Sequence, residues 1–295
     1  MSAGSDGSAT DAPLDAPFDA AVVRRLVRER RPDAPIVLML DVDGTLAPIV
    51  ARPEDAAVPD ETRRLLAALA ARPDVQVAIV SGRAPADAAR VVGLDGLWVV
   101  GNHGAEVVAP SGEATVDPLV APYRDAVAAA ARELADPVAA VAGATLEDKR
   151  LSLTIHWRRV ADPAGIATLE RLAAAAAARH ALALHSGKAV FELRPPVRVN
   201  KGTAVLALAR RLGAGASGAG ALFAGDDVTD EDAFRALRAE LPRAVTILVA
   251  PDEERARGGD GGPAPPLTAA EFAVPGVAAL RDLLRNLVIR LASPR

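Results

Sequence analysis

Two aspartates separated by one residue, Asp41 and Asp43, close a short apolar run at 35–40. A second acidic pair, Asp226 and Asp227, closes another at 221–224. Carboxylates are hard oxygen donors, and Mg2+ takes them in octahedral sites that it commonly shares with substrate phosphate. Three or four carboxylates gathered without a cation would repel one another strongly, so their convergence implies a metal. A carboxylate can also attack phosphorus, forming an acyl phosphate that divides one difficult displacement into two easier ones. A neighbouring carboxyl group then protonates the leaving alkoxide and later activates water. Phosphoryl transfer needs little beyond this except alignment and charge neutralisation. Candidate donors are Ser81, after an apolar run at 75–80, and Lys201, in Asn200-Lys201-Gly202 at a helix start, where anions are favoured.

Each motif alone has a plainer explanation. Asp-x-Asp-Gly-Thr can be an Asx turn, Ser81-Gly82-Arg83 a simple strand-to-helix turn, and Asp226-Asp227 a helix-capping pair. Lys201 alone would be a solvated helix residue. Their joint occurrence at the ends of separate apolar runs is what makes chance a poor account. Of the histidines, His180 and His185 read as structural or exposed, and His156 as a strand residue. His103 falls in a crevice loop where it can touch substrate. No Cys or His spacing suggests zinc.

The elements that must position these residues are legible as an alternation. Apolar runs at 35–40, 75–80, 98–100, 221–224 and 245–249 read as strands, with helical patterns at 60–72, 85–92, 201–212 and 229–240 between them. Short continuous apolar runs suit strands buried on both faces, and their alternation with helices indicates a doubly wound, mainly parallel α/β sheet. In such sheets ligands sit at the carboxyl ends of the strands, so Asp41, Ser81, Asn102 and Asp226 are expected in one crevice.

The stretch 108–195 departs from this rhythm. It reads as a helix at 119–134, a strand pair within 144–157, a helix at 163–180 and a second strand pair at 182–185 and 189–194. In the last strand Ala189, Phe191 and Leu193 alternate with Lys188, Val190, Glu192 and Arg194. The expected organisation is a tail at 1–18, a core built from 19–107 and 196–295, and an inserted α/β cap at 108–195. A helix is expected at 20–31, a loop at 252–266, and an amphipathic helix at 276–291.

Composition bounds the function. The 295 residues are 51% hydrophobic but only 3% aromatic, so Ala, Val and Leu must build the core. A net charge of -4 is the wrong sign for a nucleic-acid footprint. The absence of cysteine excludes disulfides and thiolate metal sites. No apolar run approaches the length of a membrane span, and the first residues lack a signal peptide's pattern. A cytoplasmic, monomeric protein acting on a small molecule, with neither nucleic acid nor membrane as partner, is expected.

At these residues the chain resembles the haloacid dehalogenase-like phosphatases. Asp41-Val42-Asp43-Gly44-Thr45-Leu46 matches their first motif, Ser81 the second, Lys201 the third and Gly225-Asp226-Asp227-Val228-Thr229-Asp230 the fourth. Over 35–291, apart from 252–266, it is similar to the trehalose-6-phosphate phosphatases. Gly101-Asn102-His103-Gly104, Glu147-Asp148-Lys149, the string from Gly187 to Pro195, and the extension of the fourth motif through Glu231-Asp232-Ala233-Phe234 carry that likeness. The resemblance implies a Rossmann-like core with a cap, Asp41 as nucleophile and Asp43 as general acid/base. It implies Mg2+ held by Asp41, Asp226 and the backbone carbonyl of Asp43, with Ser81 and Lys201 on the phosphate. Glu147, Lys149, Lys188 and Glu192 would meet sugar hydroxyls from the cap, joined by Asn102 and His103 from the core. The expected reaction is hydrolysis of trehalose 6-phosphate to trehalose and phosphate. Alternatives are another substrate (sucrose 6-phosphate or mannosyl-3-phosphoglycerate) and a catalytically silent sugar-phosphate-binding module.

One departure concerns the cap. Arg150 stands where that family usually has glycine. Glu147 and Lys149 also share parity with apolar Leu151, Leu153 and Ile155, so a bend or bulge is expected near 149–150.

Overall fold

The computed structural model describes residues 18–50, 52–187, 189–215, 218–250 and 268–292. The expected tail up to residue 17, the 252–266 loop and Lys188 lie outside the described residues.

The first strand, β1 (Ile36–Leu40), shows why the apolar runs are continuous. Ile36, Leu38 and Leu40 enter one hydrophobic layer, Val37 and Met39 the other, and all five are buried. Strand geometry sends alternate side chains to opposite faces, so a strand covered by helices on both sides has no polar position to spare. The chain continues through α2 (Asp60–Ala70), β2 (Val75–Val80), α3 (Pro85–Val92) and β3 (Trp98–Gly101), preceded by α1 (Phe18–Val23). After a second unit it resumes with α6 (Lys201–Arg211), β10 (Ala221–Gly225), α7 (Asp230–Glu240), β11 (Val245–Ala250), β12 (Phe272–Pro275) and α8 (Gly276–Ala292).

These strands form one eight-stranded sheet in the order β12-β11-β10-β1-β2-β3-β4-β5, where β4 is Glu106–Val108 and β5 is Ala114–Val116. The pairs from β12 to β3 are parallel, and β3-β4-β5 is an antiparallel meander. Residues from α1, α2, α3 and α8 pack on one face, while α6 and α7 pack on the other. Phe223 of β10 meets Phe234 of α7 edge-on, at 5.5 Å between ring centroids. The meander corrects an expectation. Segment 108–116, expected in the cap, instead extends the large sheet through its hydrogen bonds.

The second unit holds α4 (Arg124–Ala139), α5 (Pro163–Arg179) and a four-stranded antiparallel sheet in the order β6-β7-β9-β8. These strands are β6 (Thr145–Asp148), β7 (Leu153–His156), β8 (Ala183–Gly187) and β9 (Val190–Arg194). Both helices cover one face, where Leu153, Ile155, Phe191 and Leu193 meet Leu134 and Leu169. The helix expected at 119–134 begins later, after a 3-10 turn at Ala121–Tyr123, and runs through Pro137 to Ala139. The expected bend is a hairpin turn. Lys149 N–H donates to Ser152 O at 3.0 Å, Arg150 N–H donates to Asp148 Oδ1 at 2.7 Å, and Arg150 has φ +67°. That left-handed conformation is one glycine adopts without steric cost. The turn breaks the parity of 147–151 with β7, so Glu147 escapes the cap's apolar layer.

Candidate active site

The carboxyl ends of β1 and β10 are adjacent, and Asp41 N–H donates to Ala224 O at 2.9 Å. This pairing brings Asp41 and Asp226 together from opposite ends of the chain. Asp41, Asp226 and Asp230 each offer an oxygen within 4.8 Å of the others'. Gly44, with φ +81°, permits the approach: a Cβ there would lie 2.0 Å from Asp226 Oδ2. No other residue fits.

Lys201, 3% exposed, lies at the start of α6, where Asn200 caps the helix in a capping box with Thr203. Its Nζ donates to Asp41 Oδ1 and Asp230 Oδ1, each at 2.8 Å, and lies 3.9 Å from Asp227 Oδ1. Burial pushes the Asp41 carboxyl up to about 7, with Asp226 adding to the effect and Lys201 opposing it. Burial, followed by the neighbouring Asp230 and Asp227, pushes Asp226 up to about 8. Burial and the Asp41 charge raise Asp230 well above the carboxylate range. Burial would deprotonate Lys201, but Asp41 and Asp230 reverse this and raise its pKa. One ammonium does not neutralise three carboxylates, and an all-oxygen donor set without His or Cys suits a hard divalent cation.

Asp43 points elsewhere. Arg83 grips its carboxylate in a bidentate pair, Nε at 2.6 Å and a terminal nitrogen at 2.8 Å, and also holds Asp87 at 2.5 Å. The Asp43 carboxylate is therefore outside the acidic group; its expected role toward a cation rested on the backbone carbonyl. Ser81 is buried at the end of β2, and its Oγ accepts the Arg83 N–H at 3.2 Å.

The next strand end, after β3, is strained. Asn102, His103 and Gly104 have φ of 52°, 55° and 105°. This turn carries His103 toward the cap sheet, where its Nε2 lies 3.4 Å from Glu192 Oε1. Burial lowers the His103 pKa. Burial works against ionisation of Glu192, yet the contact with His103 and the charges of Lys149 and Arg194 hold its carboxyl well below the usual range. Lys149 Nζ donates to Gly82 O at 3.3 Å and lies 3.7 Å from Glu192, bridging cap and core. Burial works against ionisation of Glu147, yet its bond to His156 at 2.8 Å together with the charges of Lys149 and His156 lowers the Glu147 pKa.

The structure thus gathers Asp41, Asp226 and Lys201 in one cluster, and His103, Glu147, Lys149 and Glu192 along a cap–core seam, while the Asn102 amide donates to Glu106 of β4 at 3.2 Å. Lys188 lies outside the described residues. Two residues escaped sequence reasoning. Asp230 opens α7, four residues beyond Asp226 across a turn, and its Oδ2 accepts the N–H groups of both Asp226 and Asp227 at 3.0 Å. The i, i+4 spacing at a helix start was the available signal. Arg83 read as part of a turn, and nothing local reveals its partner 40 residues away. Asp227 does tie its turn, accepting the N–H groups of Thr229 and Asp230 at 2.8 and 3.1 Å. Among the described residues, no helix is long and apolar enough to cross a membrane.

A doubly wound sheet with an acidic cluster at its carboxyl edge and a capping α/β unit against that edge defines a haloacid dehalogenase-like protein. The trehalose-phosphatase family model matches residues 39–260, and the chain belongs to that family. A trehalose-phosphate phosphatase of Mycobacterium avium is 37% identical over 260 residues, which are 86% of this chain and 62% of that protein. An uncharacterized glycosyl hydrolase of Mycobacterium tuberculosis is 41% identical over 222 residues, 73% of this chain but 16% of its own length. The chain therefore spans less than two thirds of either curated relative. Among solved structures, a trehalose-6-phosphate phosphatase related protein superposes with a TM-score of 0.69 at 26% identity, covering 86% of this chain and 97% of that one. The C-terminal domain of Candida albicans trehalose-6-phosphate phosphatase gives 0.67 at 24% identity, covering 94% and 98%, and shows the shared fold.

Proposed function

We infer that this chain hydrolyses trehalose 6-phosphate to trehalose and phosphate through an aspartyl phosphate on Asp41. The observation that carries the reading is a buried carboxylate, Asp41, fixed at a strand end by Lys201 beside two further acidic side chains. An Asp41 oxygen attacks phosphorus as the bond from phosphorus to the sugar oxygen breaks; Asp43, released from Arg83 and protonated from solvent before the step, gives that proton to the departing alkoxide. Asp43, now a carboxylate, accepts a proton from water, whose oxygen attacks the same phosphorus. Phosphate leaves and both carboxyl groups return to their starting states. Ser81 and Lys201 bind the phosphoryl oxygens. Mg2+, held by Asp41, Asp226 and the Asp43 carbonyl, would supply charge neutralisation for phosphoryl transfer. Asp230 braces Lys201 and the Asp226 backbone. Arg83 sets the resting position of Asp43.

The four-stranded unit acts as the cap. Asn102, His103, Glu147, Lys149, Lys188 and Glu192 meet the sugar hydroxyls, since buried donors and acceptors penalise an analogue that lacks a partner. The identity to mycobacterial trehalose-phosphate phosphatases supports this substrate over other sugar phosphates. The presence of Asp41, Asp43, Lys201 and Asp226 argues against a catalytically silent binding module.

Phosphate release from a panel of trehalose 6-phosphate, sucrose 6-phosphate and glucose 6-phosphate, each with Mg2+, tests the substrate. Strong preference for the first is expected. Equal turnover of glucose 6-phosphate would remove the substrate assignment while leaving the chemistry intact.

A further inference from the structure

The cap sheet has two faces, and one residue on the face turned to the core has no structural task. Leu153 and Ile155 of β7 enter the cap's apolar layer. Thr154, between them, therefore faces the other way. Pairing places it opposite Glu147 on one side and Glu192 on the other. Directly opposed residues of antiparallel strands share a face, so Glu147, Thr154 and Glu192 form one row across three strands. The 3.4 Å approach of His103 to Glu192 shows that this row looks onto the turn after β3.

Thr154 is only 3% exposed, and its Oγ1 has no hydrogen-bond partner. Along the same seam His103 Nδ1 and Glu192 Oε1 are also buried without one, as is Asn102 Oδ1 in the adjoining turn. A buried unpaired hydroxyl is costly, whereas an apolar group of the same shape is not. Valine would fill the same space and suits a strand at least as well. A carboxylate only accepts hydrogen bonds, whereas a hydroxyl both donates and accepts. Thr154 can therefore answer a sugar oxygen that neither flanking glutamate could.

The geometry points to Thr154 as a specificity-determining residue that hydrogen-bonds a sugar hydroxyl when the cap–core seam admits a polyhydroxylated phosphate ester. This rests on the proposed sugar-binding role of the cap face. A sugar entering the seam would satisfy Thr154 together with the neighbouring unpaired atoms, replacing the 3.4 Å contact between His103 and Glu192 that now spans it.

The test measures steady-state kinetics on trehalose 6-phosphate and thermal melting for Thr154→Val, Thr154→Ser and Glu192→Gln. Thr154→Val is expected to melt at or above the wild-type temperature yet raise KM about tenfold, the worth of roughly one hydrogen bond. Thr154→Ser restores most of that loss. An unchanged KM in Thr154→Val overturns the inference. So does a lowered melting temperature that Thr154→Ser repairs, because the hydroxyl would then serve the fold. If Glu192→Gln raises KM and Thr154→Val does not, the inference alone fails. If neither variant moves KM, the sugar-binding reading of the cap face fails and the inference falls with it.

Discussion

The acidic cluster and the cap seam are both polar, and they are built on opposite plans. In the cluster, Asp41 is anchored by its own backbone in the parallel sheet, and Asp230 accepts two backbone N–H groups. Lys201 reaches both carboxylates at 2.8 Å, at the start of a capped helix. In the seam Glu147 and Glu192 are each held by one cap side chain, His156 and Arg194, but the ion contacts from Lys149 and His103 lie at 3.4 to 3.9 Å and several polar atoms lack partners. The cluster is organised before any ligand arrives, as suits charge development in a transition state. The seam keeps unmet hydrogen-bonding capacity, as suits recognition of a many-hydroxyl ligand. Rigidity sits where the proposed chemistry would act on phosphorus, and unmet hydrogen-bonding capacity where the proposed sugar would bind.

The largest expected effect bears on the cluster alone. Asp41→Asn should lower phosphate release by several orders of magnitude while the protein stays folded, since an amide cannot act as the nucleophile. Undiminished release in that variant would remove Asp41 from its role and leave the contrast without its chemical half.

A matched pair of lysine truncations sharpens the comparison. Lys201→Ala leaves Asp41 and Asp230 buried without their counter-ion and should cost about 3 kcal/mol of stability in metal-free urea unfolding. Lys149→Ala removes one hydrogen bond to a backbone carbonyl and two ion contacts of 3.7 and 3.9 Å, so unfolding should move less than in Lys201→Ala while KM for the sugar phosphate rises about tenfold. Equal destabilisation by both would show that the two regions are not built differently.

The smallest expected effect is a pH dependence. Asp41 and Asp226 titrate near 7 and 8 in the metal-free fold, above the ordinary carboxyl value of about 4. A raised carboxyl pKa means the fold favours the neutral form. That stability is fully present below about pH 4 and is lost as pH rises through 7 and 8. A bound divalent cation removes the penalty for ionisation. The melting temperature gained from Mg2+ should therefore grow between pH 5.5 and 8. A gain that is flat or shrinking over that range would contradict the proposed site.

Much of this was written locally. The run at 75–80 became β2 with the same bounds, and the pattern at 85–92 became α3, because buried strands and capped helices carry their signals in neighbouring residues. The same locality explains the misses. β4, β5 and β12 are short strands whose pairing, rather than composition, makes them strands. The bend near 149–150 followed from parity, and the structure shows it as the turn joining the strand pair expected within 144–157, with Arg150 in the left-handed conformation.

By itself the sequence determined the strand ends, and sheet topology then required Asp41, Ser81, Asn102 and Asp226 to share an edge. Those consequences follow from periodicity and from the rule that parallel strands end together. The tertiary structure decided which carboxylates face one another, that Arg83 rather than the acidic group holds Asp43, and that Thr154 is buried with nothing to bond. Such pairings depend on side-chain directions set by residues dozens of positions away, and no local pattern encodes them.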